Sequence, residues 1–305
     1  MKTKMDISVL IISFNCWSLL KKCIESVEAS PFPCREIIII DNASVDGSPE
    51  KIRKTFPNVV LVENPDNVGH TKAVNQGCRL AKGDLILLLD ADTEIDKDAL
   101  PTMLNFLQAH PDVWMVAPKT FLGDGTVQDS AKNFPKPING LFGRQSLLTR
   151  LFPDNPFSRR YLRIKNNKGT SPIQVEHVSA ACMLFRRHII DKIGLWDEGF
   201  HSYWVDADWC MRIKKAGGKI YYIPEATITH YEQNQRKYKK SPIRIIKFHT
   251  GAHRFYRKYY TWGALDPRSM AAALALSTRA LLLLVANHFK APAESHSDPL
   301  AMKRA

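Results

Sequence analysis

Two aspartates, Asp90 and Asp92, directly follow five aliphatic residues, Leu85 to Leu89. The run is too short for a lone helix and too apolar for an exposed edge strand, so it predicts a strand buried on both faces of a parallel sheet. Residues two apart in an extended chain point the same way, so both carboxylates can reach one point. Two hard oxygen donors there are typical of an Mg²⁺ or Mn²⁺ site that holds a phosphorylated ligand. A solvated turn capped by Asp90 is the alternative.

The chain before these aspartates alternates between strands and helices. Apolar runs bounded by turn residues predict the strands, and helical spacing predicts the helices. A further helix is predicted to begin at Ser48 as N-cap, with Pro49 in its first turn. This alternation is typical of an α/β fold with a Rossmann-like, doubly wound, mostly parallel sheet. The predicted strands cover residues 7–14, 36–41 and 59–63, and the predicted helices cover 18–29 and 71–81.

The carboxyl ends of the predicted strands carry polar or small residues. Ligands of doubly wound sheets bind at that edge, so these residues are expected to share one crevice with the aspartates. No G-x-G-x-x-G follows the first strand and no G-x-x-x-x-G-K-[ST] occurs, so neither a dinucleotide fold nor a P-loop is predicted. Asp41 either accepts hydrogen bonds from a ribose or base, or caps a turn. The crevice residues are Ser13, Asn15, Asp41, Asn42, Ser44, Gly69, Asp90 and Asp92.

A third acid, Asp206, lies in the first turn of a helix predicted from about 206 to 216. A carboxylate at this position can cap the amides of the helix. It can also act as a general base, if burial beside Trp204 and Trp209 raises its pKa and excludes water.

His230 follows two predicted strands, 219–223 and 226–229. A lone histidine after a strand is usually structural or solvated, and as a third metal ligand His230 would have to face Asp92. Residues 119–176 are loop-rich and basic, which favours a functional insertion or a mobile lid.

Charge and composition favour an anionic partner. The chain of 305 residues carries 43 basic and 30 acidic side chains, a net charge of +13. The excess is concentrated between residues 232 and 268, with ten Lys or Arg against two acids. This indicates a nucleotide, a nucleic acid or a membrane face. Six cysteines without a C-x-x-C pair predict buried free thiols, and the short N-terminal apolar run predicts a cytoplasmic protein rather than a secreted one.

An ordered set of motifs resembles the family 2 glycosyltransferases, inverting, metal-dependent enzymes of the GT-A fold that use nucleotide sugars. Within the family the chain looks most similar to the rhamnosyltransferase-like group that builds bacterial surface polysaccharides. The resemblance covers roughly residues 6 to 232. Its motifs are Val9–Asn15, Ile40–Ser48, Glu63–Gly69, Ala73–Gly77, Gly83–Asp92, Gly194–Phe200, Asp206–Arg212 and the strand that ends at His230.

The resemblance implies a role for each matching residue. Asp92 would bind the divalent ion with His230. Asp90 would complete the metal site and would contact the sugar, the ribose or a metal-bound water. Asp206 would deprotonate the acceptor hydroxyl, with Asp208 as the fallback. The residues implied to bind the nucleotide sugar are Ser13, Asn15, Asp41, Asn42, Ser44, Gly69, Lys72, Asn75, Asp90 and Ala91.

Two positions depart from the family pattern. The family usually has an acid directly before the base, and Val205 stands there in this chain. Processive members carry Q-x-x-R-W, whereas Gln233–Lys237 lacks the tryptophan. The expectation is therefore an enzyme that adds one sugar per encounter.

The C-terminal region predicts membrane-surface helices. Residues 242–260 mix apolar and basic side chains at helical spacing, and residues 270–289 are nearly all apolar but fall short of a clean span. A helix lying on the bilayer or docked on the domain is favoured over a buried core helix. The expected divisions are 1–118 for the nucleotide sugar, 119–232 for acceptor and catalysis, 233–290 for basic amphipathic helices and 291–305 as a disordered tail.

The expected partners are a nucleotide-diphospho-sugar, a lipid-linked or saccharide acceptor and the anionic inner face of the cell membrane. No nucleic acid is expected, because that interpretation rests on charge alone without a recognised module. The alternative function is a catalytically silent nucleotide-sugar-binding scaffold of a polysaccharide assembly complex, supported by Val205.

Overall fold

A nine-stranded sheet organises the computed structural model, which describes residues 5–32, 36–134, 151, 171–231 and 241–289. Its strands are β1 (Ile7–Ser13), β2 (Glu36–Asp41), β3 (Val60–Glu63), β4 (Leu85–Asp90), β5 (Thr93–Ile95), β6 (Val113–Leu122), β8 (Ile173–Val175), β10 (Cys182–Arg186) and β11 (Lys219–His230), while β7 (Ala131–Lys132) and β9 (His177–Val178) form a separate pair. The helices are α1 (Trp17–Glu28), α2 (Ser48–Thr55), α3 (His70–Leu80), α4 (Ala99–Ala109), α5 (His188–Ile193), α6 (Val205–Lys215), α7 (Pro242–Tyr260) and α8 (Pro267–His288).

The strand order is β3-β2-β1-β4-β10-β6-β11-β5, with β8 paired to β11. Strands β1 to β4 are mutually parallel, and β10 inserts antiparallel between β4 and β6. Since β6 and β11 are parallel to each other, six of the nine strands point the same way. The predicted mostly parallel α/β sheet is confirmed.

Alternating side chains of the central strands supply two cores, one on each face of the sheet. On β1, Val9 and Ile11 pack towards α1, whereas Leu10 and Ile12 pack towards α3. Helix α3 approaches closely because Gly77 has no side chain, and a Cβ there would lie 2.0 Å from Leu10 Cδ1. The burial of both faces explains the continuous apolar runs, as in other doubly wound sheets.

Three local predictions are corrected by the structure. The N-cap of α2 is Gly47, in the left-handed region at φ +76°, and not Ser48, whose hydroxyl donates to Asp46 Oδ1 at 2.5 Å. The two strands predicted before His230 are one strand, with a register shift between Ile223 and Thr227. Pro224 has no N–H to give to the ladder, which accounts for a bulge there. The predicted burial of α8 in a core, the less favoured alternative, is wrong, since 6% of its most apolar window is buried.

Some predictions concern residues outside those that the structure describes. They are most of the predicted insertion (135–150 and 152–170), the Gln233–Lys237 motif, the tail at 291–305 and Cys34. The five described cysteines are free, and four of them are buried, as predicted.

Helix α7 is held to helix α6 by ionic and hydrogen-bonded contacts of a fully buried carboxylate. Asp208 Oδ1 lies 2.7 Å from Lys258 Nζ and accepts a 2.7 Å hydrogen bond from the Tyr259 hydroxyl. Its Oδ2 accepts a bond from Arg212 Nε at 2.9 Å. A second acid, Asp197, accepts bonds from Arg254 and Lys258 at 3.0 and 2.9 Å.

We predict that Asp208→Asn lowers the free energy of unfolding by about 3 kcal/mol, because breaking a buried ion pair leaves the partner charges uncompensated. Chemical denaturation would measure this loss. The matched control is Asp191→Asn on the exposed side of α5, where a change within about 0.5 kcal/mol is expected. Equal free energies of unfolding of the two variants would contradict the conclusion that Asp208 holds α7 to α6.

Candidate active site

Two carboxylates and one imidazole converge at the carboxyl end of β4. One ligand atom from each of Asp90, Asp92 and His230 lies within 4.8 Å of the other two. Strand β11 brings His230 there, because its antiparallel pairing with β5 sets His230 opposite Thr93. The Tyr231 amide also donates to the Asp92 carbonyl at 2.8 Å. His230 therefore faces Asp92, with Nε2 3.2 Å from Oδ1.

The donor set of this cluster suits a divalent cation. Carboxylate oxygen and imidazole nitrogen are ligands that Mn²⁺ accepts, and carboxylates suit Mg²⁺ as well. The other ring nitrogen of His230, Nδ1, lies 3.1 Å from Gln128 Oε1. Such a contact orients the ring of a ligating histidine. The residues present thus fit a divalent metal ion.

His70 contacts the other aspartate of the pair and was not singled out from the sequence. As the first residue of α3 it places Nε2 3.2 Å from Asp90 Oδ1, and its ring packs 5.8 Å from that of Trp196. Burial lowers the pKa of His70, but the hydrogen bond and charge of Asp90 outweigh it and raise the pKa above its ordinary value. Asp90 is thereby held as a carboxylate, with its pKa lowered by His70 despite burial.

The polar residues after β1 and β2 form one hydrogen-bonded pocket wall. Asp41 is buried, and its carboxylate accepts bonds from the Ser44 amide and hydroxyl at 2.8 and 2.6 Å. Ser44 in turn accepts from the Asn15 amide at 2.8 Å. Burial raises the pKa of Asp41 more than these bonds lower it. The structure thus brings together Ser13, Asn15, Asp41, Asn42 and Ser44, as the strand ends predict, and the Asn42 amide donates to the Ser13 carbonyl.

The remaining residues implied for the nucleotide sugar differ in their surroundings. Gly69, at φ +87°, is the N-cap of α3, and Ala91 is buried between the two aspartates. Lys72 is exposed on α3. Asn75 is buried, and its amide bridges α3 to the next motif, donating to the Trp196 carbonyl at 3.0 Å and accepting from the Trp196 amide at 2.9 Å. Its side chain is used for positioning the Trp196 loop.

Asp206 and Asp208 lie in different environments although both begin α6. Asp208 is fully buried in the contacts with α7, whereas the Asp206 side chain is 23% exposed. The Asp206 carboxylate contacts His177 and accepts the Ala207 amide at 2.9 Å. The expectation that burial beside two tryptophans raises the pKa of Asp206 is corrected. Burial does raise it, but the charge and hydrogen bond of His177, with the charge of Lys132, outweigh burial and lower the pKa.

The three acids share one electrostatic environment. The charge of Asp206 raises the pKa of Asp90, and it also acts on His70. Asp206 therefore lies near the cluster of Asp90, Asp92 and His230. A carboxylate near a group of residues that suits a divalent cation can support displacement of a phosphorylated leaving group by an activated hydroxyl.

We predict that Asp92→Ala weakens Mn²⁺ binding at least tenfold, because it removes a charged oxygen ligand. Isothermal calorimetry or the loss of the free-Mn²⁺ electron paramagnetic resonance signal would measure this. Asp98→Ala, an exposed acid six residues further along the chain, is the matched control and is expected to bind as the wild type does. Equal affinities of the Asp92 and Asp98 variants would rule out the cluster as the cation site.

Comparisons with known proteins agree with this geometry. N-acetylglucosaminyl-diphospho-decaprenol L-rhamnosyltransferase of Mycobacterium tuberculosis is 25% identical over 301 residues, which cover 91% of this chain and 97% of the relative. Poly-beta-1,6-N-acetyl-D-glucosamine synthase of Staphylococcus aureus is 26% identical over 222 residues, which cover 72% of this chain and 48% of the synthase.

Two solved structures share the fold at 17% identity. GalNAc-T7 with UDP, GalNAc and Mn²⁺ superposes with a TM-score of 0.60 over 84% of this chain and 48% of that chain. Mannosyltransferase PcManGT from Pyrobaculum calidifontis with GDP-Man and Mn²⁺ gives a TM-score of 0.58 over 93% and 74%. These likenesses show a GT-A fold.

Residues 8–194, more than half of the chain, match the model of Glycosyl transferase family 2, and the chain belongs to that family.

Proposed function

We propose that this glycosyltransferase moves a sugar from a UDP-, dTDP- or GDP-linked donor to a lipid-linked or saccharide acceptor, with inversion and one sugar per encounter, in bacterial cell-surface polysaccharide synthesis. The observation that carries the proposal is the cluster of Asp90, Asp92 and His230 with Asp206 near it, where the charge of Asp206 acts on Asp90. In the proposed division, residues 1–118 bind the donor and residues 119–232 bind the acceptor.

The pocket after β1 and β2 suits the nucleoside. Asp41 has acceptor capacity beyond its two bonds to Ser44, since a carboxylate offers about four lone-pair sites. Asn15 Nδ2 is buried and has no hydrogen-bond partner among the described residues, so it can donate to a carbonyl of a base. Asp41 and Asn15 together offer an acceptor and a donor to the edge of the base or to the ribose. Ser13, Asn42, Gly69, Lys72 and Ala91 complete the proposed donor site, and Asn75 supports it by holding the Trp196 loop rather than by contacting the donor.

Asp92 and His230, with Asp90, would hold Mg²⁺ or Mn²⁺. When bound, the ion would neutralise charge that grows on the departing diphosphate. Asp90 is also suited to contact the sugar or ribose, because His70 keeps its carboxylate ionised.

Asp206 removes the proton of the acceptor hydroxyl in the proposed reaction. The acceptor oxygen forms a bond to the anomeric carbon while the bond from that carbon to the phosphate oxygen breaks, and the nucleoside diphosphate leaves with the electron pair. Because the nucleophile enters opposite the leaving group, the configuration inverts. The lowered pKa of Asp206 keeps it in the base form at neutral pH.

The M. tuberculosis relative supports one choice of substrates. Its name describes transfer of L-rhamnose to an N-acetylglucosaminyl-diphospho-decaprenol, and it matches nearly its full length. We therefore place a rhamnosyl donor and a polyprenyl-diphosphate acceptor first in a substrate screen. The S. aureus synthase, whose name describes an N-acetylglucosamine polymer, gives the second choice.

We predict that the protein with Mn²⁺ and a polyprenyl-diphosphate-linked acceptor releases nucleoside diphosphate from one of a panel of nucleotide sugars. Asp206→Asn is expected to lower kcat at least about 10²-fold, since general base catalysis contributes 10²–10⁴-fold. Calorimetry should find donor binding unchanged, because the substituted side chain remains similar in size. Retained turnover in Asp206→Asn would remove the base assignment. Donor binding without consumption in the wild type, with acceptor present, would favour the silent scaffold.

We further propose that α7 and α8 rest on the cytoplasmic, anionic face of a membrane. Helix α8 is 22 residues long, and by length and composition it is also able to cross a membrane. Its exposed apolar side chains include Leu274, Leu281 and Leu282, at 72%, 62% and 65% exposure. An apolar surface of this kind beside the basic helix α7 is typical of binding to anionic lipid.

We predict that the protein co-sediments with phosphatidylglycerol vesicles more strongly than with phosphatidylcholine vesicles, and less as salt rises. The double variant Leu281→Glu/Leu282→Glu should lose roughly a thousandfold in affinity, from about 2 kcal/mol per leucine no longer buried. Leu80→Glu, an exposed leucine at the end of α3, is the control and should bind as the wild type does. Concentration-dependent self-association without lipid binding would show that another copy, and not lipid, covers α8.

A further inference from the structure

A buried histidine lies against the proposed base. His177 on β9 is 7% exposed, and its Nε2 is 3.2 Å from Asp206 Oδ2. Among the described residues no other hydrogen-bond partner for this nitrogen is found, and its contact with Oδ2 is within hydrogen-bonding distance but not well aligned. His177 has no sequence signal of its own, because one histidine in a two-residue strand follows no periodic pattern.

The contact completes a fixed geometry for the carboxylate. Oδ1 of Asp206 accepts the Ala207 amide at 2.9 Å, and His177 lies against Oδ2. Two contacts on opposite oxygens restrict rotation about the terminal torsion, which is otherwise broad for aspartate. The lone pairs of Asp206 that remain free are then held in a fixed orientation. Strand pairing supports this placement, because His177 is in register with Lys132 on β7.

We propose that His177 is a positioning residue for the general base, holding Oδ2 of Asp206 so that its free lone pairs meet the acceptor hydroxyl. The inference rests on the proposed function, in which Asp206 accepts the proton. His177 itself takes no proton in the step. The proton passes from the acceptor oxygen to Asp206, and the imidazole keeps the carboxylate in place before and after.

Charges from several elements surround Asp206 and fix the sign of the expected pH effect. His177 on β9 and Lys132 on β7 attract negative charge to it, while Asp90 on β4 repels it. His70 on α3 also feels the charge of Asp206 from across the cleft. Burial raises the pKa of Asp206, and His177 contributes most to lowering it. Removing His177 therefore raises that pKa, and activity is lost at a higher pH as the solution is acidified.

The experiment compares His177→Phe, His177→Gln and the surface control His188→Gln in the full chain, each with steady-state kinetics over a range of pH. In His177→Phe we expect kcat to fall 10- to 100-fold, as a misplaced reacting group commonly causes. The KM for the donor should stay within twofold, and the acid limb of the kcat profile should move to higher pH. His177→Gln retains an N–H donor without a charge, so it should recover much of kcat while its acid limb remains shifted. His188→Gln should match the wild type.

An unshifted acid limb in both His177 variants would overturn the inference, as would wild-type kcat in His177→Phe. Thermal unfolding and calorimetric donor binding separate misfolding from mispositioning, and His177→Gln provides the pH readout if His177→Phe does not fold. Retained turnover in Asp206→Asn would instead overturn the proposed base, whatever the His177 variants do. The two failures are therefore distinguishable.

Discussion

Crowding of carboxylates at one edge of the sheet is the constraint on which the rest of this site depends. Asp90, Asp92 and Asp206 lie near one another, and unpaired ionised groups of this kind are costly to bury. Each has a histidine against it, at 3.2 Å in all three cases, namely His70, His230 and His177. His70 and His177 lower the pKa of Asp90 and Asp206 and keep those two carboxylates ionised. None of the three contacts fills all the lone pairs of its carboxylate, so the acids remain able to bind a cation, a sugar or an acceptor proton.

The connectivity of the fold places these three histidines beside the acids. His70 begins α3, His177 lies on the short strand β9, and His230 ends β11. Three segments that are distant in sequence thus meet at the carboxyl end of β4 and the amino end of α6. The antiparallel strand β10 between β4 and β6 separates the donor-side strands from β6 and β11. This is where the sheet departs from a simple doubly wound order.

The sequence predicts the parts of this arrangement that follow from local pattern. Apolar runs predict β1, β2 and β4 within one residue of their observed ends, and turn residues after them predict the Asp41 and Ser44 pocket. His70 and His177 were missed, since their function comes from contacts across the sheet. The sign of the pKa shift of Asp206 was missed for the same reason, because it depends on His177 and Lys132 and not on the neighbouring tryptophans.

The same spacing, Asp-Ala-Asp, occurs at 90–92 and at 206–208 and has opposite consequences. At the end of a strand, residues two apart share a face, so Asp90 and Asp92 converge with His230. In a helix of 3.6 residues per turn they point nearly apart. Asp206 therefore faces the cleft while Asp208 faces α7, where Lys258 and Tyr259 hold it. Helix α7 also packs Gly251 against the Tyr203 carbonyl, beside Trp204 in the left-handed conformation at φ +71°. One helix thus joins the proposed base to the proposed membrane-facing segment, so the position of Asp206 depends on how α7 is seated.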